Sequence, residues 1–134
     1  MKLFNLIKKY IFISVNYIID NQLRIVAQGA DWYTDLKIQP NSWNFIAVTL
    51  NDGTTKVYLN GELAAQTGSF STNTSSGTPL IIGKGPFDRD DEFFNGTIDE
   101  VAIWNRALSS EEISELYDSY DIEAEESVYG CSDD

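Results

Sequence analysis

The sequence predicts an all-β fold, an antiparallel β-sandwich with one short C-terminal helix. Three observations predict it. Short apolar segments alternate with a period of two, as half-buried strands do. Turn signals separate them, Asn51-Asp52-Gly53 and Asn60-Gly61 above all. A single stretch of helical periodicity comes last, behind its own capping signal.

In residues 10–19, Ile11, Ile13, Val15, Tyr17 and Ile19 share one parity, and Phe12, Ser14, Asn16 and Ile18 the other, which predicts a strand. The same region has the early lysines and apolar run of a secretory leader. Lys8 and Lys9 come late for one, Asn16 interrupts the run, and no small-residue cleavage site follows, so the strand reading is preferred. The run is also too short to span a bilayer. A turn at Asp20-Asn21-Gln22 leads into a second strand with Leu23, Ile25 and Ala27 on one face, completing a hairpin. "GADWYTD" is expected as a loop carrying two aromatics.

Residues 43–67 predict a three-stranded meander. "SWNFIAVTL" is its first strand, "TKVYLN" its second and "ELAAQT" its third. Asn60-Gly61 is the sharpest hairpin signal, because both central positions of a type I′ turn need positive φ. Residues 68–79 read as a polar loop, "LIIG" as a short buried strand, "KGPFDRDDEFFNG" as an acidic-aromatic loop and "TIDEVAIW" as a strand. Ser109 stands three residues before Glu112, a capping box. Ile113, Leu116, Tyr117 and Tyr120 then form one apolar helical face, predicting a helix from about Ser110 to Ser119. One domain over 1–120 is expected, followed by an acidic linker or disordered tail over 121–134.

The net charge is −12, from 9 basic and 21 acidic residues, which argues against nucleic acid and anionic membrane surfaces as partners. Six of the acids fall in 121–134. The absence of histidine excludes Ser-His-Asp and Cys-His catalysis and removes the commonest zinc ligand. Cys131 is the sole cysteine, so no intrachain disulfide forms. Asn73-Thr74-Ser75 and Asn95-Gly96-Thr97 match glycosylation acceptors, a pattern common by chance.

Asp99-Glu100 is the most conspicuous pair of acids. Neighbours on a strand point to opposite faces, so the two cannot act as one acid–base pair. A retaining glycosidase needs two carboxyls about 5–5.5 Å apart. On strand parity Asp99 accompanies Val101 and Ile103 toward the core, where backbone N–H groups, Arg106 or a calcium ion would have to answer its charge. Glu100 is expected on the other face, with Ile98, Ala102 and Trp104.

The blocks "SWNFIAVTLNDGTTKVYLNGELAAQTG", "LIIGKG" and "FNGTIDEVAIWNRALSSEEISELY", in that order and spacing, resemble the laminin-G-like, concanavalin A-like jelly-roll modules, close to the pentraxin-type group. The resemblance covers residues 43–117, with a looser fit over the preceding hairpin. The opening strands of such modules have no counterpart here, so an N-terminally shortened module is expected. The resemblance implies two curved sheets and a recognition role within a larger secreted or cell-surface protein, toward glycans or extracellular proteins. Some relatives bind calcium. Others with the fold are glycoside hydrolases, whose Glu-x-Asp-x-x-Glu run of acids on one face the 97–104 segment lacks.

The resulting expectation is a non-catalytic, carbohydrate-binding module, with protein adhesion, a structural spacer and a glycosidase relic as alternatives. Sugars need aromatic platforms beside polar groups. Trp32, Tyr33, Tyr58, Phe87, Phe93 and Phe94 are the candidates, with Asp31 and Asp35 flanking the first two. Tyr58 is opposite in parity to Val57 and Leu59, which suggests that it lines the sheet surface. Asp88, Asp90 and Glu92, with Asp99, are the candidate calcium ligands. Their alternation suits a hard oxygen-seeking cation, although the glycine and distal glutamate of an EF-hand loop are missing.

Overall fold

A computed structural model describes residues 2–5, 21–27, 30–68, 82–83 and 93–126. Six strands and one helix follow in the order β1 (Lys2–Asn5), β2 (Gln22–Ala27), β3 (Ala30–Lys37), β4 (Phe45–Asn51), β5 (Thr54–Leu59), β6 (Glu62–Thr67) and α1 (Ser110–Glu126). One sheet has the order β1-β4-β5-β6 and the other pairs β2 with β3. The architecture is the expected β-sandwich with a C-terminal helix. The pairing of β1 with β4 is parallel, a departure from a wholly antiparallel sheet.

The β4–β5–β6 meander forms as the turn chemistry requires. Asp52 and Gly53 have φ of 46° and 79°, and Asn60 and Gly61 have 52° and 84°, the positive values of tight hairpin turns. Asn60 also anchors the start of β4. Its N–H donates to the Phe45 carbonyl at 2.8 Å, and its side-chain oxygen accepts the Phe45 N–H at 3.0 Å.

The stretch 30–37 is a strand rather than the loop expected. Its residues alternate, with Thr34 and Ile38 buried and Trp32 and Leu36 half-buried, while Tyr33, Asp35 and Lys37 face outward. The polar look of "GADWYTD" hid that period. Between Gln22 and Arg24 the β2–β3 register shifts, since Gln22 pairs with Lys37 but Arg24 with Tyr33. Asp35 takes a φ of 58° inside this bulge. Buried Thr34 ties the bulge together, its hydroxyl donating to the Leu23 carbonyl at 2.6 Å and accepting the Leu36 N–H at 3.3 Å. The partner expected for β2, residues 10–19, lies outside the described residues.

Two apolar layers flank the larger sheet. Leu23, Ile25, Ile38, Ile46, Val48 and Val57 fill the space between the sheets. Phe45, Ala47, Tyr58, Leu108 and Ile113 fill the space between that sheet and the helix. Strand β4 supplies both layers by alternation, so it reads as a continuous apolar run buried on both faces. Phe45 meets Tyr117 of α1 edge to face, ring centroids 5.5 Å apart.

The segment 97–104 is not a regular strand, and its inward face is the reverse of the one expected. Ile98 packs on the inter-sheet layer, while Ala102 and Trp104 pack on the layer beneath the helix. Asp99, Val101 and Ile103 are exposed. Between the two layers Glu100 adopts a φ of 54°, which breaks strand geometry where the chain passes from one layer to the other. Helix α1 begins at the expected residue but runs on to Glu126, through six residues of the stretch expected as linker. Of the expected "LIIG" strand only Ile82 and Gly83 are described; the Gly83 carbonyl accepts the Phe94 N–H at 2.9 Å. Among the described residues no helix is long and apolar enough to cross a membrane.

Candidate functional site

The side chains with binding chemistry converge where the chain enters α1. The capping box forms as predicted: the Ser109 N–H donates to Glu112 Oε2 at 2.8 Å, and the Glu112 N–H donates to Ser109 Oγ at 3.2 Å. Arg106 completes it. Its two terminal nitrogens donate to the two oxygens of Glu112 at 2.7 and 2.6 Å, a bidentate pair. The arginine, then the Ser109 amide, hold the Glu112 carboxyl down at about 2, well below the ordinary glutamate range. The same pairing raises the Arg106 pKa.

Beside this pair lies an open groove of about 370 Å³. Trp104, Leu108 and Leu116 supply its apolar lining; Arg106, Glu112, Glu115 and Ser119 supply its polar lining. Sequence reading named Trp104, Arg106, Glu112, Leu116 and Ser119 only as parts of the frame and did not bring them together as a groove; Leu108 and Glu115 were not named. The available signal was the helical spacing of Glu112, Glu115, Leu116 and Ser119, which puts them on one side of α1. That side abuts the 104–108 segment only in the folded chain.

The structure divides the aromatic candidates between core and surface. Trp32 and Phe94 pack on the inter-sheet layer. Tyr58 does face away from Val57 and Leu59, but that surface is covered by α1. Only 1% of it is exposed, and its hydroxyl shares a 3.1 Å hydrogen bond with Ser110. It is a core residue rather than a surface aromatic. Tyr33 and Phe93 are exposed. Tyr33 stands on the outer face of the β2–β3 sheet with the Arg24 guanidinium 4.6 Å from its ring centroid. Nearby, Gln22 Nε2 donates to Asp35 Oδ1 at 3.0 Å.

Asp99, expected to point inward, is exposed, and its Oδ1 accepts the Glu100 N–H at 2.8 Å. Arg106, one of the partners considered for it, goes to Glu112 instead. Phe87, Asp88, Asp90 and Glu92 lie outside the described residues. Among the described residues no three acidic or cysteine side chains cluster as a metal site would require.

Against known proteins, a laminin-G family model, described as the concanavalin A-like lectin/glucanases superfamily, matches residues 9–114. No curated protein matches the chain. A solved structure, that of an S-layer domain-containing protein (residues 221–444) from Clostridium thermocellum, is similar at 24% identity and a TM-score of 0.55. The match covers 72% of this chain and 50% of that one, so this chain spans about half the length of that structure. At that identity the likeness speaks for the fold.

Proposed function

The chain belongs to the concanavalin A-like lectin/glucanases superfamily, and from that premise we propose that it is a non-catalytic carbohydrate-recognition module of a larger extracellular or cell-surface protein. The observation that carries the reading is the groove at the head of α1. An indole and two leucines offer apolar surface to the C–H face of a sugar, beside a bidentate Arg106–Glu112 pair whose orientation is fixed before any ligand arrives. The placement in a surface protein draws support from the family and from the S-layer domain-containing protein whose fold this chain resembles.

A calcium-assisted site at Asp88, Asp90 and Glu92 with Asp99 is the alternative location for the same carbohydrate role. A glycan array run with calcium and again with chelator tests both locations. Saturable binding that survives chelation is expected if the groove is the site. Binding lost on chelation would move the site to the acidic stretch. No binding by folded protein would overturn the carbohydrate reading. The second reading, a protein-adhesion or spacer module, would then stand on the exposed apolar side chains of Trp43, Val101 and Ile103.

A further inference from the structure

We infer that the groove beside Trp104 selects an amino sugar bearing a free ammonium group, a refinement that rests on the carbohydrate reading above. The argument is one of local charge. Among the described residues Arg106 is the only cation lining the groove, and Glu112 engages both of its terminal nitrogens. Glu112 in turn accepts the Ser109 amide, so its oxygens serve the pair and the helix cap together. The pair therefore presents oriented polar groups and no net charge.

Glu115, one helical turn further along the same side, is different. It is exposed, lines the groove, and has no ion pair or hydrogen bond among the described residues. One unanswered carboxylate thus lines the same groove as the apolar side chains of Trp104, Leu108 and Leu116. A ligand that meets both has an apolar C–H face and a single positive charge, which a glucosamine-type pyranose supplies. The volume, about 370 Å³, is at the small end of ligand sites and suits a short saccharide segment. An acidic sugar would face Glu115 and a chain of net charge −12. A neutral sugar would gain nothing from Glu115, whereas an ammonium would add one exposed ion pair.

The test is a titration of the intact chain with four oligomers of matched length: glucosamine, N-acetylglucosamine, galacturonate and lysine. The expected result is tightest binding to the glucosamine oligomer, by about threefold over its acetylated counterpart for one exposed ion pair, with no galacturonate binding. Glu115→Gln should abolish that preference, bringing the glucosamine and N-acetylglucosamine oligomers to equal affinity. Trp104→Ala should weaken both by about tenfold or more, with Trp104→Phe as the substitute where the alanine variant fails to fold. The inference is overturned if Glu115→Gln keeps the preference, if oligolysine binds as tightly as oligoglucosamine, or if chelation removes binding. Glycan binding undiminished in both the Glu115 and Trp104 variants would sink this site but leave the carbohydrate reading standing. Absence of all glycan binding by folded protein would sink both.

Discussion

Thr55 is fully buried in β5, yet its hydroxyl has no hydrogen-bond partner among the described residues. An unmet buried hydroxyl carries its desolvation cost with nothing to offset it, while valine has nearly the same shape and suits a strand. Thr55→Val is therefore expected to stabilise the protein by about 1 kcal/mol, read as a higher urea midpoint with an unchanged slope. A lower midpoint would show that the hydroxyl is satisfied after all. Buried Asn44 is the contrasting case. Its side chain accepts the Gln39 N–H and donates to the Gln39 and Ser42 carbonyls, closing the loop between β3 and β4. Single residues were legible in the sequence when their role was local. The direction Tyr58 faces followed from strand parity, but its burial did not, because its cover comes from a helix about fifty residues later.

At the scale of elements, the start of α1 carries a pH dependence of its own. The Glu112 carboxyl titrates at about 2 in the folded protein, against an ordinary value of 4.5. A depressed carboxylate contributes stability that is fully present above its unfolded pKa and is lost as pH falls through the folded one. Acidification from about 4.5 toward 2 should therefore release Arg106, loosen the cap and open the groove together. Glu112→Gln is expected to flatten the part of the acid-unfolding curve due to this group, measured by helical circular dichroism. An unchanged acid limb in the variant would count against the linkage. The capping box was legible because its two residues lie three apart and the helix brings them together by itself. The 97–104 segment was not. Parity transfers along a strand only while the backbone stays extended, and Glu100 leaves that region. Strand β3 was missed for a different reason: its alternation is unbroken, but the inward set includes polar Thr34 and the outward set is polar, so the stretch reads as a loop.

For the molecule as a whole, the decisive contact is between the β5–β6 turn and the helix. A Cβ added at Gly61 would lie 2.8 Å from the Tyr117 ring, and φ there is 84°. Gly53, in the preceding hairpin turn, has a φ of 79° but nothing within 4 Å of such a Cβ. Gly53→Ala should therefore cost only the backbone penalty, about 1 kcal/mol, whereas Gly61→Ala should cost about 2–3 kcal/mol by adding the displacement of Tyr117. Equal losses in equilibrium unfolding would mean that the turn does not bear on the helix. The sandwich and its terminal helix followed from periodicity and turns. The site did not, because the groove exists only where two separately legible segments meet in space.

The order of synthesis gives the helix layer another meaning. The ribosome releases residues 45–67 well before α1, so the meander can form hairpins while Phe45, Ala47 and Tyr58 still face water. Until Tyr117 has emerged, the nascent chain presents a greasy sheet face to chaperones and proteases. A transcript truncated before Ser109 would leave it in that state for good. Such a product should be cleared by the cell's quality control rather than survive as a smaller, working version of the protein.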